Sequence, residues 1–336
     1  MKRLLLIIGC AALLALACIQ LYSRFIDRDM QFFLKVAEAS DGWAEQLHAA
    51  ERPVYVLAGG SEARSGVDPQ IMLDEFGIPL INAAEGAGHG LQANIVLAFK
   101  YLQHGDILVL SIVNTADENI PPSAGGVKMA VWRMGTAAFD SGIIEPDIVN
   151  AGKFLSSDMR NMFTLLTRYF TRSGRLYKYD EHTIVHSSGW MEVRYQEMDK
   201  FAPTKLPPGT KLPILNETSQ IMKTLRKLQD HCQENNISLI VSIPVGCNDA
   251  GMRAAYAFQA LGITRLGIPV LRDERLGCLP VPTDFADTPA HLNAKAAAEN
   301  TRILGRLIKE KQYWTEQELL DTLQGMGYRA DGTPQQ

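Results

Sequence analysis

The chain has 336 residues, 46% of them hydrophobic and 21% charged, with 33 Lys and Arg against 37 Asp and Glu and a formal net charge of -4. That much apolar material supplies one large core or two modest ones and argues against a disordered chain. The slightly acidic balance provides no broad basic field, which argues against nucleic acid as the partner.

Lys2 and Arg3 precede an apolar run from Leu4 to Ile19, and Gln20, Arg24, Asp27 and Arg28 return the chain to water. The run, extended by Leu21 and Tyr22, falls between a signal-peptide core and the roughly 20 residues that span a bilayer. An uncleaved anchor over 1–22 is the expected form, with cleavage or lipidation at Cys18 as alternatives. Positive charge before the segment favours a cytoplasmic N-terminus, with the rest of the chain on the periplasmic or exterior side of the inner membrane. Cys10 and Cys18 read as apolar filler within the segment. An oxidising compartment permits one disulfide among Cys232, Cys247 and Cys278, and Cys247 with Cys278 is the preferred pair.

Phe25, Phe33, Val36, Trp43 and Leu47 have helical spacing, so 23–52 is expected to hold a membrane-proximal helix. Val54 to Ala58 reads as a buried strand closed by Gly59-Gly60-Ser61. A helix over Pro69 to Phe76, a strand over Pro79 to Asn82, a helix over Leu91 to Gln103 and a strand over Asp106 to Val113 follow. This alternation is the mark of a parallel sheet. The later part predicts a helix over Thr218 to Asn235, a strand over Ile237 to Ile243, a helix over Ala250 to Leu261, a short strand at Pro269 to Leu271 and a closing helix over Ala294 to Lys311. Between about 120 and 213, bordered by Pro121-Pro122 and Pro207-Pro208-Gly209, the text reads as a helical or irregular insertion. It would emerge at the carboxyl edge of the sheet, where such folds bind ligands. Residues 316–336 are expected as a C-terminal tail, disordered from Ala330 onward.

Serine becomes a useful nucleophile only on an exposed sharp turn with a base brought close. Ser61, after two glycines at the end of a buried strand, meets the first condition. Asp287 and His291 share the turn ahead of the closing helix, so the carboxylate can orient one ring nitrogen and leave the other to take the serine proton. Each element also has an ordinary reading: a loop for Gly-Gly-Ser, a turn and a helix start for Asp287 and His291. Other motifs point nowhere. Residues 59–66 lack the spacing of a phosphate loop, and no cofactor motif is found. His182 and His186 are four apart but flank a strand-like Thr183-Ile184-Val185, so no metal site is expected. Arg64, Glu85 and His89 read as solvated loop charge rather than sugar contacts, and Trp132 and Trp190 as core or lid anchors.

Taken in order, these blocks resemble the SGNH or GDSL hydrolase superfamily. Ser61 matches its first block, Gly86 in Asn82-Ala83-Ala84-Glu85-Gly86-Ala87-Gly88 the second, Asn114 the third, and His291 with Asp287 the last. Gly-Gly-Ser replaces the common Gly-Asp-Ser, and the third block reads Ser111-Ile112-Val113-Asn114-Thr115. The Asp-to-His spacing is one residue longer than usual, which makes Asp284 the substitute for Asp287. The resemblance covers roughly 53–116 and 215–310. It implies a three-layer α/β sandwich with a mostly parallel sheet over 53–315, and an oxyanion hole formed by the backbone N–H groups of Ser61 and Gly86 and the amide of Asn114. Gly88 or Gly90 can replace Gly86, and Asn119 can replace Asn114. It further implies an anchored enzyme without cofactor that hydrolyses or transfers acyl groups of an envelope or secreted polysaccharide, with a membrane-bound acyltransferase as a possible partner. The rival expectation is a degenerate SGNH-like scaffold that binds polysaccharide or assembles an acylation complex without turnover.

Overall fold

The structure, a computed structural model, describes residues 28–112, 119–153, 155–156, 159, 183–193, 218–247, 250–279, 284–286 and 291–335, together with residues 10, 14, 17 and 21. Its centre is a parallel sheet of four strands: β1 (Tyr55–Ala58), β2 (Leu80–Asn82), β3 (Ile107–Ser111) and, numbered here in chain order after a later hairpin, β6 (Ser238–Ser242). The hairpin consists of β4 (Thr183–Val185) and β5 (Met191–Val193), which pair antiparallel. The sheet runs β2, β1, β3, β6 across, and Tyr55 stands beside Leu80 on one side and Ile107 on the other. A parallel bridge from Val241 to Val270 extends the sheet past β6, where the short strand at 269–271 is expected. All four carboxyl ends therefore lie along one edge. The chain goes from β1 outward to β2 and returns to β3 on the opposite side. That reversal opens a crevice at the ends of β1 and β3, the place where open α/β sheets take their ligands.

Alternation along the strands divides the core between the two faces. Val56, Ala58, Leu108 and Leu110 face one large cluster. It takes Trp43 and Leu47 from helix α1 (Arg28–His48), together with the apolar sides of α4 (Leu91–Phe99), α5 (Ala124–Met134), α6 (Gln220–Glu234) and α7 (Ala250–Arg265). Leu57, Leu80, Val109 and Ile240 face the other, against α2 (Ser61–Gly66), α3 (Pro69–Phe76) and α8 (Ala294–Glu310). The ends of these helices follow from their sequence. Asp68 caps α3 by accepting from the Gln70 N–H, Pro69 takes the first helical position, and Gly77 closes it with φ +68°. Asn293 caps α8 through the Ala296 N–H.

Several expectations change. The membrane-proximal helix is part of the domain: Phe32, Val36 and Trp43 are buried, and the Trp43 indole donates to the Leu80 carbonyl at 2.8 Å. The expected tail forms α9 (Glu316–Gly325), started by a capping box of Thr315 and Glu318. Leu319 and Leu323 enter the main core from it with no exposure, and burying such side chains contributes roughly 1.5 to 3 kcal/mol each. Past Ala330, backbone bonds such as Gln335 N–H to the Gly327 carbonyl keep the chain folded back. The expected disulfide is not formed. Cys278 is a reduced thiol, and in the two-residue pair β7 (Gly246–Cys247) and β8 (Cys278–Leu279) it stands opposite Gly246, while Cys247 stands opposite Leu279. Cys232 is also reduced, and burial pushes its thiol up to about 12.

Within the expected insertion, α5 and a further helical stretch at 148–153 agree with the helical reading, and the β4–β5 hairpin does not. Both parts are pinned to the sheet's carboxyl edge. Ser123 N–H donates to the His89 carbonyl, and a side chain at Gly189 would run into Ser40 on α1. Among the described residues no helix is long and apolar enough to cross a membrane. Of the expected anchor, only residues 10, 14, 17 and 21 are described, and each is helical and exposed.

Candidate active site

Ser61 is the first residue of α2, directly beyond the carboxyl end of β1, with Gly60 as the N-cap in extended conformation. The turn is tight for a stated reason. A Cβ on Gly60 would meet the Glu62 carboxylate and stand 3.0 Å from the Ala87 backbone nitrogen. Gly60 therefore lets the loop after β2 come directly against the serine turn. The Glu85 N–H donates to the Gly59 carbonyl at 3.1 Å and ties the two loops together.

A cleft of about 230 Å³ opens there, lined by Gly59, Gly60, Ala87, Gly88, Leu91, Asn94, Ser111 and Asn119. It joins the β1 turn, the β2 loop and the end of β3, which is the reversal point of the sheet. Gly86 stands one residue before the lining pair, and its carbonyl accepts from His89 N–H and from Asn94 Nδ2. Asn114 and Asp287 lie outside the described residues, as does His182. Asn119, the substitute for Asn114, lines the cleft. Asp284 is half-buried, and its backbone carbonyl accepts from Asn293 N–H at 2.9 Å.

His291 is 7% exposed and sits two residues before the cap of α8. Its strand-like segment is held by a bridge between Phe285 and Leu292, and its carbonyl accepts from the Ala286 N–H at 2.8 Å. The segment and α8 are fastened to α2: Asn300 Nδ2 donates to the Gly66 carbonyl at 3.0 Å, and a Cβ on Gly66 would stand 3.7 Å from Leu292. The fold thus carries a histidine from the last quarter of the chain to the short helix that Ser61 begins.

Glu62 is the residue the sequence reading passed over. It is 5% exposed, and its Oε1 accepts from the Gly60 N–H at 2.9 Å. Burial pushes its carboxyl up to about 7, opposed by backbone N–H bonds and by its electrostatic interaction with the His291 ring. A carboxyl beside the candidate nucleophile that titrates near neutrality, within the field of the candidate base, is a feature typical of active sites. Glu62 and Ser111 also line a small cavity of about 30 Å³ with Ser242, Asp273 and Arg275. The sequence signal was no more than a Glu next to the serine.

Around this turn, Arg64 and Glu85 are buried rather than solvated, at 2% and 6% exposure, and pair at 3.1 Å. Arg64 also donates to Ser40 Oγ, the Asn82 carbonyl and the Gly189 carbonyl. Sequence reasoning placed both in solvent because nothing local shows that α1 and the hairpin close over them. Trp190 anchors the hairpin, donating to the Ser65 carbonyl at 3.0 Å. His186 stacks on Trp190 with ring centroids 4.7 Å apart and bonds Glu192 at 2.9 Å. Trp132 packs on the core under the Lys128 ammonium, 4.6 Å from its ring centroid.

The loop after β2 differs in kind. Among the described residues, six buried side-chain polar atoms have no hydrogen-bond partner, and three of them, Glu85 Oε2, His89 Nδ1 and Asn94 Oδ1, belong to 85–94. Asn94 is 2% exposed and lines the cleft, and its bond from Nδ2 to Gly86 fixes which end of the amide is the unused acceptor. Burial keeps His89 neutral by lowering its pKa, against the charge of Glu85. No family model, curated protein or solved structure matches the chain.

Proposed function

We propose that the protein is a serine-dependent acyl-ester enzyme of SGNH type, an esterase or an O-acyltransferase acting on acyl groups, most simply acetyl, of an envelope or secreted polysaccharide. The observation that carries this reading is the position of Ser61. It starts a helix at the carboxyl end of β1, one residue after the Gly59-Gly60 pair that lines a cleft at the sheet's reversal point, and the same short helix carries Glu62, in the field of His291, and Gly66, beside Leu292.

In this reading Ser61 Oγ attacks the ester carbonyl while His291 takes its proton. Collapse of the tetrahedral intermediate expels the alcohol, to which His291 returns the proton, and leaves Ser61 acylated. Water or a sugar hydroxyl then attacks the acyl-enzyme by the reverse sequence and frees the serine. Asp287, or Asp284 in its place, orients His291. Negative charge on the carbonyl oxygen is met by the N–H groups of Ser61 and Gly86 and by the amide of Asn114 or Asn119; one such side-chain donor is worth about 3 to 4 kcal/mol in other enzymes. A polyhydroxylated substrate suits a cleft whose unused buried atom, Asn94 Oδ1, is an acceptor.

The N-terminal segment is proposed as the anchor that holds this domain outside the cytoplasmic membrane. Cys10, Leu14, Ala17 and Leu21 recur at helical spacing and are exposed, Leu14 by 68% and Leu21 by 58%, as expected of side chains meant for lipid. The test is turnover of p-nitrophenyl acetate by the full chain in detergent, beside Ser61→Ala and His291→Ala, with and without a neutral oligosaccharide. Activity lost in both variants supports the enzyme, and acetylated oligosaccharide identifies a transferase. An inert parent, or variants as active as the parent, transfers the argument to a scaffold that binds without turnover.

A further inference from the structure

The cleft beside the serine turn is richer in acceptors than in donors. Asn94 on α4, 2% exposed, gives its Nδ2 to the Gly86 carbonyl at 3.0 Å, and Oδ1 is left without a partner among the described residues, in a side chain that lines the cleft. The backbone donors around it are used. Gly60 N–H goes to Glu62 Oε1 at 2.9 Å, Gly90 N–H to the Ala87 carbonyl at 3.2 Å, and Gln92 N–H, at the start of α4, to the Ile120 carbonyl at 3.0 Å. The N–H groups of Ser61 and Gly86 are the pair that the proposed reaction assigns to the ester oxygen. Ser111 and Asn119, also in the lining, each offer both a donor and an acceptor and so leave the balance unchanged.

Charge points the same way. No lining residue is charged. Arg64, the cation of the serine turn, is 2% exposed and committed to Glu85, Ser40 and the carbonyls of Asn82 and Gly189. A carboxylate entering this cleft would lose its water, meet the Asn94 oxygen lone pairs and find no cation among the lining side chains, which is a costly way to bury a charge. A hydroxyl supplies the donor that Asn94 lacks. At about 230 Å³ the space is below the roughly 300 to 1,000 Å³ of pockets for drug-sized ligands, which suits a single sugar ring.

We infer that the cleft holds one neutral sugar unit, with Asn94 Oδ1 accepting from a hydroxyl of that unit, and that it selects against uronates. The inference rests on the proposed reading of this cleft as the polysaccharide site and deepens it by naming the class of polysaccharide and the residue that chooses it.

The test is isothermal titration of the full chain, in a detergent without a sugar headgroup, with three tetrasaccharides of one β-1,4 linkage: glucose, its fully O-methylated form, and glucuronate. The glucose tetramer is expected to bind the parent about tenfold or more tighter than either of the others, and Asn94→Leu to weaken it by about tenfold. The O-methylated arm needs no variant, so it decides even if Asn94→Leu fails to fold. Glucuronate or the O-methylated tetramer bound as tightly as glucose, a folded Asn94→Leu with the parent's affinity, or no binding of the glucose tetramer by the parent would each overturn the inference. Turnover of p-nitrophenyl acetate on the same preparation reports separately on Ser61. A parent that is inert but binds the glucose tetramer through Asn94 sinks the enzyme reading alone, and an active parent that prefers glucuronate sinks this inference alone.

Discussion

Two loops meet at the carboxyl edge of the sheet, and they are finished in opposite ways. The turn after β1 is closed: Gly60 donates to Glu62, Arg64 makes four buried bonds, and Ser65 and Gly66 have their carbonyls taken by Trp190 and Asn300. The stretch from the loop after β2 into α4 is left open, with buried polar atoms on Glu85, His89 and Asn94 that have no hydrogen-bond partner among the described residues. A buried polar atom without a partner costs about 1 to 3 kcal/mol, so a fold keeps several together only where something else pairs with them. In the proposed reading, the contrast separates the part of the site that would hold the nucleophile in place from the part that would meet the ligand.

That division can be broken at its strongest point first. Replacing Arg64 by Met strands the Glu85 carboxylate in the interior and removes the brace between α1, β2 and the hairpin. A loss of about 3 to 5 kcal/mol is expected, read from urea unfolding. If the variant unfolds at the parent's midpoint, the turn is not held by this pair.

Glu62 gives the next largest effect, and its sign is fixed by its pKa. The folded protein keeps a proton on this carboxyl up to about pH 7, whereas the unfolded chain releases it near the ordinary value of 4.5. The contribution of Glu62 to stability is therefore fully present below about pH 4.5 and is lost as pH rises through 7, by on the order of 3 kcal/mol in total. In Glu62→Gln that slope disappears, so the stability difference between variant and parent should move in the variant's favour from pH 5 to pH 8. A difference constant with pH would place the carboxyl in contact with water.

A third substitution acts on the approach of the two loops. In Gly60→Ala the added methyl meets the Glu62 carboxylate and the Ala87 nitrogen, with an expected cost of about 1 to 3 kcal/mol and a larger proportional loss of turnover, since the cleft itself is displaced. The smallest effect on stability is expected on the open side. Asn94→Leu gives up one bond to Gly86 but also removes an unpaired acceptor, leaving a net change of about 1 kcal/mol or less in thermal unfolding. A large loss there would mean that the open loop is structural after all.

Those loops also mark what could be read from the sequence. The strands β1, β2, β3 and β6 are short apolar runs between turn residues, and α3 and α8 carry their caps in the text, so the parallel sheet and the serine turn were legible. His291 was legible as a candidate because it precedes a strongly periodic helix. What escaped depends on distant parts of the chain. Arg64 and Glu85 look like surface charge until α1 and a hairpin more than a hundred residues later cover them. Glu62 is one more acidic residue until its environment is known, and α9 escapes because 316–325 follows the last expected helix and reads as a tail.

The central claim is that Ser61 is a nucleophile activated by His291, and covalent capture tests it most directly. The full chain would be treated with diethyl 4-nitrophenyl phosphate and the modified peptide identified by mass spectrometry, beside His291→Ala and Ser61→Ala. A diethylphosphoryl group on Ser61 in the parent, formed far more slowly in His291→Ala and absent from Ser61→Ala, is the expected result. Labelling elsewhere in the chain, or labelling of Ser61 at the same rate without His291, would contradict it.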